Sequence, residues 1–544
     1  MFRRRRDFDP RQRPRARATA VSAVPLGVVP VAPARPRRGI VLPVVLVLIG
    51  LLAVTMAGFV FFVRAETAGM IAHGDAQQAR LAAESGLEEI VAMLREDQHN
   101  ARQWFSRPDR FRHALVWAAT YDRQDDPVAE SRSRTEAFDD GEPRVLAWRY
   151  SAVAPDTSGL ENTLRFGITP ESGKLDINLA TEAQIRQLFT PLLVGLQIEN
   201  PDELINAFLD WRDADEEPRL GGAENEYYNT LEPPYSAKNG PLDTIEELLL
   251  VKGFSAAVLY GEDVNRNGYL DPNEDDTDET FPYYDNGDSV LDRGIAPFIT
   301  VWPREPDTAL DNKPRINLNA DAGIIAAQIA DAFQEEELTQ ATIDFIVALK
   351  QQNFDFSQVG SAAALYAGVD LPESGDQEEG DAPASGLLAD SPITLEELPY
   401  IMDRFSTVAI AQGGPQLLAG RININTAPFE VLTLVPGMTA EVAGAIIATR
   451  STLEAEDLAT TAWPMVAHIV DLATFQQIAP AITTKAYQFH IEVIGYADHV
   501  QLFRRYEWII EMVGPLAQIK YRRDLTRLGF AWPLDDDTVI VNDS

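Results

Sequence analysis

Cysteine is absent from all 544 residues. That excludes disulfides, thiolate zinc sites, iron–sulfur clusters and a cysteine nucleophile. Histidine is scarce, with six in the chain, and neither HExxH nor GxSxG occurs, so the usual zinc-hydrolase and serine-hydrolase signatures are missing. Basic residues are short as well: 46 Lys+Arg against 83 Asp+Glu give a formal charge of −37. Residues 1–38 hold eleven Arg and two Asp, a net of +9, so the rest of the chain stands at −46. A body that acidic repels nucleic acid and anionic headgroups and suits divalent cations or cationic partners. Apolar residues at 45% and charged residues at 24% are the balance of a folding chain, long enough for about three to five domains.

From Ile40 to Val63 run 24 uncharged, mostly apolar residues, IVLPVVLVLIGLLAVTMAGFVFFV. As a helix this spans about 36 Å, enough for a hydrocarbon core of roughly 30 Å. Arg35, Arg37 and Arg38 precede it, which predicts a cytoplasmic N-terminus and an exterior body. Residues 64–97 contain no proline, and Ala79, Ala82, Ala83, Leu87, Ile90, Val91 and Leu94 form a stripe at helical spacing. The span is expected to continue as one long helix. A basic leader ending in Gly39 before a hydrophobic segment starting at Ile40 resembles a type IV pilin-like N-terminus. That resemblance implies cleavage after Gly39 by a prepilin peptidase, with Ile40 as the mature first residue. Pilins usually have Glu at mature position five; here it is Val44.

Residues 98–144 read as a loop, followed by strand-like stretches at Val145–Val153 and Thr163–Ile168. A short motif then occurs three times: KLDINLAT from Lys174, RINLNA from Arg315 and RININTAP from Arg421. Each precedes helix-forming sequence. Its last Asn (Asn178, Asn319, Asn425) is suited to cap that helix or to bind loop backbone. Three copies imply related helical units or a duplicated entry turn. The stretch around Val435-Pro436-Gly437-Met438 has the pattern of a helix-hairpin-helix, repeated around Lys252-Gly253 and more loosely at Leu395–Met402 and Trp463–Leu472. In these acidic surroundings a structural use is expected rather than nucleic-acid binding. Residues 368–390 read as an acidic loop. Tyr487–Gly495, Tyr506–Met512 and Ala517–Tyr521 read as antiparallel strands.

Two acidic groups point to metal chemistry. Asp263–Glu274, DVNRNGYLDPNE, matches a twelve-residue calcium loop position by position. Asp263 and Glu274 supply charge at the ends, and Asn265 and Asn267 supply neutral oxygens. Tyr269 offers its backbone carbonyl, Asp271 acts through water, and Gly268 permits the reversal. No good exit helix follows, so the loop is not a paired EF-hand. The second group is Asp210, Asp213 and Asp215 with Glu224 and Glu226, where crowded like charges favour a cation. Asp210 and Asp213 are expected to share a helix face. The acidic run from Glu274 to Glu279 is a further ligand source.

Residues 209–254, with GKLDINLAT and GRININTAPFEVLTLVPGM, resemble the K-type minor pseudopilin family of type II secretion. The resemblance covers residues 37–97, 172–300 and 415–520. It implies an α+β fold: a pilin-like N-terminal transmembrane helix with a small antiparallel sheet, and a large inserted α-helical domain with helix-hairpin-helix or SAM-like units and a calcium loop. The expected organisation is a leader at 1–39 and the long helix at 40–97, then pilin-like strands and loops at 98–172. A calcium-loop helical domain follows at 173–300, a second helical unit at 301–414, a hairpin unit at 415–480, and strands with a tail at 481–544. The implied function is a non-enzymatic subunit at the pseudopilus tip, in the inner membrane with its body in the periplasm, binding one or two calcium ions. The implied partners are I- and J-type minor pseudopilins, other pseudopilins, the inner-membrane assembly platform and the prepilin peptidase. The competing expectation is a single-span, calcium-dependent adhesin or interaction module.

Overall fold

The computed structural model describes the chain except residues 1–40, 122–143, 155–162, 278–279, 283–284, 286, 334–336, 371–387, 410–416, 419, 498–499, 531–539 and 542–544. The leader, the processing pair Gly39 and Ile40, residues 371–387 of the acidic loop, most of the tail, and Asp278 and Glu279 therefore lie outside the described residues. Two compact units are present, residues 1–70 and 71–544.

The first long element is α1, Val41–Asp97, 57 residues without interruption. Pro43 falls in its first turn, where a missing N–H costs nothing. In the first unit Val41–Met70 is exposed along its whole length and is long and apolar enough to cross a membrane once. In the second unit the helix is amphipathic: Ala79, Ala83, Leu87, Ile90 and Leu94 are buried at the expected spacing.

That buried stripe packs on a mixed-origin sheet. Its strands are β1 (Ala114–Tyr121), β2 (Arg144–Ala154), β3 (Thr163–Phe166), β4 (Thr169–Pro170), β5 (Gln488–Ala497), β6 (Val500–Val513), β7 (Leu516–Asp524) and β8 (Ile540–Val541). The order is β7-β6-β5-β2-β3-β8, with β1 beside β2 and β4 beside β5. All pairs are antiparallel except β3 with β8. The loop expected over 98–144 is instead partly strand, because Leu115, Trp117 and their neighbours add an apolar run to β2 with Trp117 opposite Trp148. Strand β5 is buried along nearly all its length. At Gly495 the helix backbone comes so close that an added Cβ would lie 2.1 Å from the Ala79 carbonyl oxygen; only glycine leaves that space.

Residues 171–487 enter between β4 and β5, and their core is distinct. Ile185, Phe208, Ile346, Phe405, Ile446 and Phe475 belong to one apolar cluster, while Ile90, Tyr150, Phe166, Val493 and Trp508 belong to another beneath α1. Within the insertion one arrangement recurs three times. A two-residue strand opens it (Leu175–Asp176, Ile316–Asn317, Ile422–Asn423) and pairs in parallel with a closing strand (Ile299–Thr300, Phe405–Ser406, Ile482–Thr483). The next amide donates to the closing strand each time: Ile177 to Thr300 at 2.9 Å, Leu318 to Ser406 at 2.8 Å, Ile424 to Thr483 at 3.0 Å. Between them sits a helix pair: α2 (Glu182–Gly195) with α3 (Pro201–Arg212), α4 (Ala322–Ala332) with α5 (Gln340–Gln351), and α6 (Phe429–Leu432) with α7 (Ala440–Arg450). Arg212 and Arg450 end the outer helices of the first and third copies and donate back to the opening turn, at Ile177 and Ala180 and at Ile424 and Ala427.

Of the two roles open to the last Asn of each motif, binding loop backbone is the one observed. Asn178 exchanges hydrogen bonds with Leu242, Asn319 donates to Thr407, and Asn425 donates to Leu458. Of the helices that follow the motifs, α2 is capped by Thr181, while α4 and α6 start at Asp321 and Pro428 without a side-chain cap bond; threonines cap the second helices α5 and α7, through Thr339 and Thr439.

Candidate metal centres

The loop from Asp263 to Glu274 follows a short helix, Ala256–Tyr260, which ends at Gly261 with φ +64°. Residues 245–250 form a 3-10 helix rather than an α-helix, so the entering helix is shorter than the sequence suggests. Asp263 is 7% exposed and Glu274 1%. Asp263 accepts from the Asn267 amide through Oδ1 and from the Gly268 amide through Oδ2, both at 2.9 Å. Gly268 has φ +69°, the left-handed conformation that the reversal requires. Glu274 reaches back with both oxygens, accepting from Val264 and Asp271 amides at 3.1 Å. Asn265 and Asn267 turn their Nδ2 groups toward Asp271 Oδ2, at 2.5 and 2.9 Å.

The donor set is one a hard divalent cation takes: Asp263 and Glu274 lie buried at the two ends, both amides reach Asp271, and turning the amides over exchanges N for O at nearly equal volume. Burial pushes Asp263 up to about 6. Burial, then the charge of Asp263, pushes Glu274 up to about 8. A cation bound between them would offset both, since its charge favours the ionised carboxylates. Tyr269 turns its ring toward the apolar cluster under α1. Two arginines hold the loop from outside: Arg293 donates to the Gly268 carbonyl at 2.9 Å, and Arg505 of β6 donates to those of Asn265 and Arg266 at 2.7 and 2.6 Å. Neither arginine is part of the motif. In the sequence Arg505 is one of several charges in its strand, beside Arg504, Glu507 and Glu511, and nothing there sets it apart.

The second group separates into parts with different jobs. Asp213, Asp215 and Glu224 each place an oxygen within 4.8 Å of the others, an arrangement that can hold a metal ion. Glu224 is 3% exposed, and neither of its oxygens accepts a hydrogen bond among the described residues. Burial, then the charges of Asp210 and Asp213, push it up to about 7. Asp210, fully buried, is already satisfied: it accepts from the amides of Arg219 and Ala223 and from the Arg219 guanidinium. It shapes the loop that presents the other three. A Cβ on Gly222 would meet Asp210 Oδ2 at 1.9 Å, so that loop closes only over glycine. Asp210 and Asp213 do not share a helix face, because α3 stops at Arg212 and Asp213 is extended at ψ 177°. Arg219 bridges them instead, at 2.8 and 2.5 Å. Glu226 is exposed and lies outside the trio.

Residues 172–260, which include this trio, match the family model described as type II secretion system (T2SS), protein K. The match is confined to that segment. The type II secretion system protein K of Klebsiella pneumoniae is 42% identical over 74 residues, covering 13% of this chain and 23% of that protein. A putative type II secretion system protein K of Escherichia coli K12 is 35% identical over 71 residues, covering 13% and 22%. The chain thus matches less than a quarter of the length of these curated relatives. The crystal structure of the GspK-GspI-GspJ complex from the enterotoxigenic Escherichia coli type 2 secretion system covers 84% of this chain and 98% of its own, at 12% identity and a TM-score of 0.30. A likeness at that score carries no argument.

Proposed function

We propose that this protein is a minor pseudopilin with a structural, non-catalytic role at the tip of a type II secretion pseudopilus. The observation that carries the reading is the family match at 172–260, in a chain whose α1 joins an exposed apolar rod to a sheet-packed half. The rod is drawn from the inner membrane and packs against the rods of I- and J-type minor pseudopilins and other pseudopilins. The N-terminus faces the cytoplasm until prepilin peptidase cuts after Gly39, and the body lies in the periplasm. Both acidic centres take calcium, Asp263–Glu274 through a full loop and Asp213, Asp215 and Glu224 through a carboxylate trio, with Asp210 as support. The stretches around Val435–Met438 and Lys252-Gly253, and those at Leu395–Met402 and Trp463–Leu472, act as helix-hairpin-helix-like structural units, consistent with the strongly acidic body.

N-terminal sequencing of the protein extracted from membranes, joined to photocrosslinking from Leu52 in cells making the I- and J-type partners, tests this. The expected result is an N-terminus at Ile40 and crosslinks to both partners. A chain that keeps residues 1–39 and crosslinks to neither is a plain anchor, and the secretion role falls.

A further inference from the structure

The loop at 263–274 is held by a group no motif contains. Arg505 is 0% exposed. Its guanidinium donates Nη1 to the Asn265 carbonyl at 2.7 Å and Nη2 to the Arg266 carbonyl at 2.6 Å. Its remaining Nε–H goes to Glu492 at 2.5 Å. Glu492 lies on β5, diagonally across from Arg505, whose direct partner is Ile494. The Arg505 backbone is fixed too: its amide donates to Thr526 Oγ1 at 3.1 Å and its carbonyl accepts from Leu525 at 2.8 Å. The bonds that aim this fork therefore come from β5 and from the turn after β7, while both carbonyls it grips belong to loop positions three and four.

Those positions are the ones that need outside help. Arg266 is held at φ +57°, a left-handed conformation that is unfavourable for a non-glycine residue. It lies between Asn265 and Asn267, the two amides that face the loop centre. The Arg266 side chain stacks on Tyr260, 3.5 Å from the ring centroid, so the strained residue is gripped at both ends. One residue away, the Gly268 carbonyl is taken by Arg293. The 3-10 helix at 245–250 is tied to the sheet as well, through Glu246 and Arg523 of β7 at 2.7 Å.

We propose that Arg505 is a positioning residue for the Asp263–Glu274 centre. By fixing the carbonyls of Asn265 and Arg266 from the sheet, it makes cation occupancy of the loop and the order of β5 and β6 one coupled equilibrium. This rests on the calcium reading of the loop. Coupling of this kind is reciprocal: what the sheet does for the ion, the ion does for the sheet. A guanidinium fork suits the task because it serves two carbonyls and a carboxylate in one plane, which an ammonium cannot do.

The test uses the full chain in detergent with the trio silenced by Asp215→Asn and Glu224→Gln. Calcium is titrated by calorimetry into this parent, and into the parent with Asp263→Asn, Arg505→Met or Arg505→Lys. Hydrogen exchange of residues 488–513 is followed with calcium and with chelator. The parent is expected to bind one ion that Asp263→Asn abolishes. Arg505→Met is expected to weaken binding about 10–100-fold, as for lost outer-shell partners, and Arg505→Lys by less. Chelation should speed exchange in β5 and β6 of the parent, and that response should vanish with Arg505→Met. Folded arginine variants that bind within twofold of the parent overturn the coupling while leaving the calcium reading intact. A parent that binds no better than Asp263→Asn overturns the calcium reading and this proposal with it. Should Arg505→Met fail to fold, Arg505→Lys decides.

Discussion

Asp263, Glu274 and Glu224 are carboxylic acids whose surroundings hold protons on them toward neutral pH, at about 6, about 8 and about 7. The unfolded chain releases those protons near pH 4. Without a cation the folded state therefore binds more protons than the unfolded state between roughly pH 4 and the raised values, and its stability must fall as pH rises through that window. A divalent cation needs the deprotonated acids, so its stabilisation grows over the same range. In chelator, the thermal midpoint should drop from pH 5 to pH 8. In calcium the drop should flatten or reverse, and titration at pH 7 should release protons. Scanning calorimetry in both conditions checks this; a chelated protein whose midpoint rises across that window contradicts it. The reversal at Gly268 was readable, because a left-handed turn calls for glycine, and it stands at φ +69°. Asp210 was not, since nothing in DWRDAD shows that backbone amides of Arg219 and Ala223 will satisfy it. Nor was Arg505, which stands 240 residues from Asn265.

At the scale of elements, α1 and strands β2, β3, β5, β6 and β7 follow from periodicity, whereas β1 lies in a stretch expected to be loop. A long proline-poor stretch with a 3–4 stripe becomes one helix, and apolar alternation near the C-terminus becomes β5, β6 and β7. What periodicity cannot express is the meeting of two backbones. Gly495 reads as a weak point in a strand, yet it is where α1 rests on β5. Gly86 of α1 plays the matching part: an added Cβ there would lie 2.6 Å from the Tyr150 ring. Gly495→Val should push the helix from the sheet and cost about 1–3 kcal/mol or more, as overpacking does. Urea unfolding of the solubilised protein should show a lower midpoint, and Ile90 and Leu94 should become reactive neighbours in footprinting. An unchanged midpoint would mean that the close approach is not a feature of the native packing.

At the scale of the molecule, the sheet is made from both ends of the chain while the acidic centres belong wholly or mostly to what lies between. Register places the ends of the insertion side by side: Pro170 pairs with Phe489 and Thr169 with His490. The two apolar clusters divide along the same line. Apart from Tyr269 packed at its margin, the cluster under α1 draws on residues before 171 and after 485, whereas the other lies within 175–482. Interrupted folds of this kind tolerate removal of the insert when its ends are adjacent and its core is its own. A protein of residues 71–170 joined through a short Asn-Gly turn to 488–530 should therefore fold, keep the antiparallel signature in circular dichroism and melt cooperatively. It should also be insensitive to calcium, since both centres are gone. Its Arg505 would lose the loop carbonyls but keep Glu492 and gain water, so the loss is tolerable. A miniature that stays collapsed without dispersed amide resonances would show that the sheet needs the insertion to fold, and that the two cores form a single cooperative whole.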